Sequence, residues 1–145
     1  MKKCMIAVTL VAVLAGTAFA GSAPKAEVTQ YNYVYANRQT DLRRAKLKEA
    51  APEVMNAFGA LGKAALKDGA LSNKTKELIA VALSLSAHCE GCINSHVKNA
   101  IRAQVTREEL VEVLGVCILM GGGPSWVYAN MVLEVYDQYM AQQAK

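Results

Sequence analysis

Apolar residues recur at helical spacing along most of this chain and almost nowhere at the every-other spacing of a strand. Leu78, Val81, Ala82 and Leu85 fall three and four apart. They predict the buried stripe of a helix capped by Ser72 or Asn73 and running to about Ala87. Leu110, Val113, Leu114 and Cys117 repeat the pattern on a helix that starts near Arg107, where Thr106 followed three residues later by Glu109 makes a capping box. Val127, Met131, Val135 and Tyr139 set the apolar side of a last helix, opened by Pro124 after the break Gly121-Gly122-Gly123 and ending about Gln142. Earlier in the chain, Arg38 to Glu49 is rich in strong helix formers. Pro52 suits the first turn of a helix to about Leu66, with Gly69 as its C-terminal cap. Gly59 and Gly62 on that helix would permit close approach of another helix. A further helix should run from about Glu90 to Ala103. The one alternation is Tyr31, Tyr33 and Tyr35, within a leader or arm from 21 to 37. It fits a short strand or an arm on a neighbouring subunit less well than an ordered surface segment. The pattern therefore predicts an all-α, single helical-bundle domain of about six helices over 38–145.

Composition and charge narrow this picture. The chain has 145 residues, 53% hydrophobic and 19% charged, enough for one domain with a core. Its first twenty residues stand apart: Lys2 and Lys3, an apolar run from Met5, then Ala18-Phe19-Ala20. That order is a secretory signal peptide over 1–20, cleaved after Ala20, and it implies a periplasmic or secreted protein. The apolar stretch from Met5 to Ala20 is 16 residues, short of the roughly 20 that a membrane-spanning helix needs. An uncleaved N-terminal anchor is the alternative. Cleavage would remove two lysines and no acid, taking the net charge from +4 to +2. So mild a balance, with no basic run, argues against nucleic acid as a partner. Cys89, Cys92 and Cys117 would remain, an odd number and no disulfide framework of a small scaffold.

The chemistry concentrates in AHCEGCINSH, Ala87 to His96. Cys89, Cys92 and His96 are three and four apart, so they share one helix face within two turns. Cys89 sits at the helix start, where unpaired N–H groups and the dipole favour a thiolate. His96 is placed to exchange a proton with Cys92. This is dithiol redox geometry. The same residues with His88 offer four nitrogen and sulfur ligands for zinc, although structural zinc sites usually draw ligands from two separated pieces of chain. The c-type haem pattern fails because Ile93 stands where histidine is required. Two buried, inert cysteines are the third reading, and that one suits Cys117 on its apolar stripe better. Glu77, on the preceding helix, can hold a histidine in one tautomer and pass protons, or can be a solvated surface residue.

Glu77, eleven intervening residues, Cys89-x-x-Cys92, three more and His96 resemble the core motif of the alkylhydroperoxidase D-like proteins, in the carboxymuconolactone decarboxylase superfamily. KELIAVALSLSAHCEGCINSHVKNAIRAQVTREELVEVLGV and the later MGGGPSWVYA read like the core of that family, so the resemblance covers roughly Pro52 to Tyr139. It implies an all-helical domain assembling as homotrimers or homohexamers, and a thiol peroxidase cycle acting on an organic hydroperoxide. By position, Cys92 looks like the attacking cysteine and Cys89 like the resolving cysteine. His96 and Glu77 look like the proton relay. The redox-active Cys89–Cys92 disulfide is then the only cofactor implied, with no metal. The best-known peroxidase members also carry a histidine between the two cysteines. Here that position is Gly91, and His88 precedes Cys89 instead. An exported protein would draw on an exported thiol reductant or other redox protein. The alternatives are a disulfide oxidoreductase without peroxidase activity, a decarboxylase-like lyase, and a non-catalytic oligomeric module. The lactone-decarboxylating members resemble a branch without this Cys-x-x-Cys-x-x-x-His.

Overall fold

A computed structural model describes residues 30–144. The signal peptide expected over 1–20, and the leader as far as residue 29, lie outside the described residues. Five helices follow one another: α1 (Tyr33–Ala50), α2 (Pro52–Leu66), α3 (Asn73–Ser86), α4 (Glu90–Arg102) and α5 (Arg107–Gln143). The domain is all-α, with no strand among the described residues. α5 is broken at Gly122, whose φ of 64° and ψ of −146° are non-helical. Its two halves are the last two of the six helices that the sequence pattern predicts.

The helix starts follow their caps. Asn32 accepts from the Tyr35 N–H, Ser72 from the Thr75 N–H, and Thr106 with Glu109 forms a full capping box. Helices α3, α4 and α5 enclose the core. Val81 and Leu85 meet Ile93, Val97 and Ala100, and both meet Leu110, Leu114, Val132 and Val135. Eight of these side chains are without solvent contact, and the seven larger than alanine each stabilise the fold by about 1.5–3 kcal/mol relative to exposure. α1 lies on α4 and α5. α2 packs on α1 and the edge of α3 and buries no residue of its own.

Several expectations need correction. α1 begins at Tyr33, not Arg38, because Asn32 caps it, so the tyrosine alternation runs into a helix rather than a strand. Gly69 does not cap α2. The Asn73 side chain donates to the Leu66 carbonyl at 2.8 Å, and Asp68 accepts from the Asn73 N–H at 2.6 Å. Gly59 and Gly62 face open space within the described residues, so a helix that approaches them would come from another subunit. On the second half of α5 the buried stripe is Ser125, Ala129, Val132, Val135, Tyr136 and Tyr139, while Val127 is 64% exposed.

Gly122 occupies backbone space that is essentially closed to a residue with a β-carbon. Gly122→Ala is expected to lower stability by about 1–3 kcal/mol in urea unfolding. An unchanged midpoint would show that the break is not fixed by the backbone of this residue.

Candidate active site

The site begins with the way α3 ends. Ala87 is the last near-helical residue, and His88 then takes φ of 52°, the left-handed region. The His88 N–H donates to the Leu85 carbonyl at 2.9 Å, and the Cys89 N–H to the Ser84 carbonyl at 3.0 Å. This pair of bonds is a Schellman motif, in which glycine is the usual left-handed residue. α4 ends the same way, with Gln104 at φ of 61° and Val105 donating to Ala100. At His88 the conformation costs about 1–2 kcal/mol for a residue with a β-carbon. Its ring is stacked on Tyr128 of α5, centroids 4.6 Å apart and planes 11° off parallel. Such a contact offsets about 0.5–1.5 kcal/mol of that strain.

Cys89 thus closes α3 and opens α4 at once. Its carbonyl accepts from the N–H groups of Cys92 and Ile93, both at 2.9 Å. Cys92 is the third residue of α4, within the first turn where unpaired N–H groups and the dipole favour negative charge. The Cys89 and Cys92 sulfurs are joined in a disulfide, with α-carbons 5.2 Å apart. One turn on, His96 Nδ1 lies 2.8 Å from Glu77 Oε2. The sharp reversal runs α4 back along α3, and this brings Glu77 to His96. Glu77 is 4% exposed, not a solvated surface residue. When Nδ1 carries the proton it donates to the carboxylate, and Nε2 is left as the acceptor of the ring. All four residues singled out in the sequence, Cys89, Cys92, His96 and Glu77, therefore meet along the α3–α4 pair. His88, the remaining zinc candidate, turns its ring to Tyr128 instead.

The opposite face of α4 holds the architecture together. Buried Asn94 donates to the Tyr33 carbonyl at 2.7 Å and accepts from the Tyr139 hydroxyl at 3.1 Å. Gln138 accepts from the Tyr33 N–H at 2.8 Å and donates to the Tyr31 carbonyl at 2.7 Å. A cleft of about 410 Å³ lies there, lined by the tyrosine segment, Arg43, Glu90 and Gly91 but by neither cysteine. Sequence reasoning missed Ser84 and the partners of Asn94 and Tyr128. Asn94 carried a signal, a polar residue between the apolar Ile93 and Val97 that turns away from the cysteine face. Cys117 is buried, as its apolar stripe predicts, and desolvation pushes its thiol up from the usual value.

The sequence model of the carboxymuconolactone decarboxylase family matches residues 52–134. An uncharacterized protein of Cupriavidus necator is 44% identical over 102 residues, which is 69% of this chain and 90% of that protein. A carboxymuconolactone decarboxylase family protein from Legionella pneumophila has a crystal structure similar to this one. It is 44% identical, with a TM-score of 0.72, over 74% of this chain and 96% of that one. A family protein from Thermotoga maritima shares the fold at 22% identity and a TM-score of 0.64, over 79% of this chain and 94% of that one.

Burial separates the cysteines into two classes. After reduction of the folded protein, alkylation at pH 8 is expected to modify Cys89 and Cys92 while Cys117 reacts only on unfolding, read by peptide mass mapping. Modification of Cys117 as fast as of the pair would contradict its burial.

Proposed function

The chain belongs to the carboxymuconolactone decarboxylase family, and we propose that within it the protein is a thiol-dependent peroxidase reducing organic hydroperoxides. One arrangement carries this reading: a bonded Cys89–Cys92 pair at the start of α4, one turn from a histidine paired with a buried glutamate. In the reduced protein, His96 takes the Cys92 proton, and the resulting imidazolium is stabilised by the Glu77 carboxylate. The Cys92 thiolate attacks the outer oxygen of the hydroperoxide and the O–O bond breaks. Cys92 becomes a sulfenic acid, and the leaving alkoxide takes the proton from the relay to depart as the alcohol. The Cys89 thiol then displaces water from the sulfenic acid and the disulfide closes. Two electrons pass from the dithiol to the peroxide. An external thiol returns them, and for a protein exported by its signal peptide that donor is an exported thiol reductant or other redox protein.

The same reading includes self-assembly as a trimer or hexamer. Val54, Phe58 and Leu61 on α2, and Leu119, Met120, Trp126 and Val127 about the break in α5, are each more than half exposed. So much apolar surface on a domain this small supports burial against other copies. Light scattering is expected to return a multiple of the chain mass; a clean monomer would remove assembly from the proposal.

The peroxidase step is tested in a single turnover. One equivalent of an organic hydroperoxide should oxidise the reduced protein to the Cys89–Cys92 disulfide, and Cys92→Ser should abolish the reaction. Glu77→Gln should slow it at the lower end of the range of about 10²–10⁴-fold typical of acid–base assistance. Oxidation no faster than that of a free thiol would sink the peroxidase reading and leave disulfide exchange as the function to test.

A further inference from the structure

We propose that His88 and Tyr128 form a positioning pair that sets how readily Cys89 closes on Cys92. The inference rests on the dithiol cycle above and concerns its second step. The left-handed position that ends α3 is one where glycine serves best, yet it carries an imidazole. That ring is stacked in parallel on Tyr128, a half-buried residue packed against the core. The contact ties the α3–α4 corner to α5, and the residue it steadies is followed directly by Cys89. The two cysteines are held differently. Cys92 sits within α4 and keeps its place with the helix. Cys89 lies outside both helices, at the junction directly after His88, with its N–H bonded to Ser84 and its carbonyl to Cys92 and Ile93. Loosening the stack should therefore leave the attack by Cys92 alone and weaken the approach of Cys89. The step affected is the condensation of the Cys92 sulfenic acid with the Cys89 thiol, which forms the S–S bond and releases water.

Two readouts test this on the full protein. The first mixes reduced protein with hydroperoxide and traps the sulfenic acid with a dione reagent against time. The second equilibrates the dithiol with glutathione buffers. His88→Gly keeps the left-handed backbone and removes the ring; Tyr128→Leu removes the stacking partner. Both are expected to leave sulfenic acid formation unchanged, to slow disulfide closure about tenfold, and to shift the glutathione equilibrium about tenfold towards the dithiol, about 30 mV. Tyr128→Phe, which keeps the stack, should behave as the unaltered protein. If Tyr128→Leu fails to fold, His88→Gly decides. Closure and equilibrium unchanged in folded variants would overturn the pairing role. Should the unaltered protein show no reaction with hydroperoxide, the peroxidase reading falls, and the glutathione equilibrium alone decides this inference.

Discussion

The reversal between α3 and α4 is the constraint on which the rest depends. Three residues, Ala87 to Cys89, turn the chain back on itself, and two backbone bonds to Leu85 and Ser84 fix the turn. Because the turn is so short, α4 must run back along α3. Residues one turn into α4 then look at the middle and start of α3. That is how a histidine seven residues past the turn comes to a glutamate near the start of the preceding helix. A longer or looser connection would leave the cysteines at a helix start but without their carboxylate. The left-handed His88 is thus a condition of the site's geometry as well as a cap.

A buried carboxylate is costly unless it is paired and hydrogen-bonded. Glu77 is nearly without solvent contact, and its partner is the His96 ring, itself less covered. Removing the imidazole would leave a buried charge without that partner, so the contact serves the fold whatever its chemistry. The other face of α4 shows the same economy in a neutral form. Asn94 uses its amide on the Tyr33 carbonyl and its oxygen on Tyr139, which holds α1 and α5 against the helix that carries the sulfurs. α4 is therefore fixed on one side by hydrogen bonds while its other side carries the disulfide and His96.

Much of this was legible in the sequence, and the misses have physical causes. The cap at Ser72 and the capping box at Thr106 and Glu109 are local chemistry, so the starts of α3 and α5 follow from a few adjacent residues. Cys89, Cys92 and His96 share a face by helical period alone. The pairing of Glu77 with His96 is not local. Their separation has meaning only once the reversal at His88 is known, and motif resemblance rather than spacing pointed to it. The inward side of the last helix was read in part. Val135 and Tyr139 are buried and Met131 packs against the core, as the pattern expects, while Val127 lies on the outer side and Ser125, Ala129, Val132 and Tyr136 complete the stripe. Gly69 is a further case, since the loop after α2 satisfies its carbonyl through the Asn73 side chain, a contact with no signature in the chain.

The break at Gly122 has a consequence for chemistry as well as packing. The stripe begun by Leu110, Leu114 and Cys117 passes through Gly121 and goes on at steps of three and four to Ser125, Ala129, Val132, Tyr136 and Tyr139, so the break keeps the helical phase. Gly122 kinks the helix without changing which face turns inward, and the second half supplies Ala129, Val132 and Tyr136 to the core. The adjacent Gly121 is needed for a different reason: a β-carbon there would collide with the side chain of buried Ser125. Tyr128 rides on the redirected half and meets His88. The GGGP segment is more than a helix breaker, since it aims the second half of α5 at the corner that carries Cys89. A backbone choice far from the sulfurs in sequence thereby reaches the residue beside them, through one helix and one stacked pair of rings.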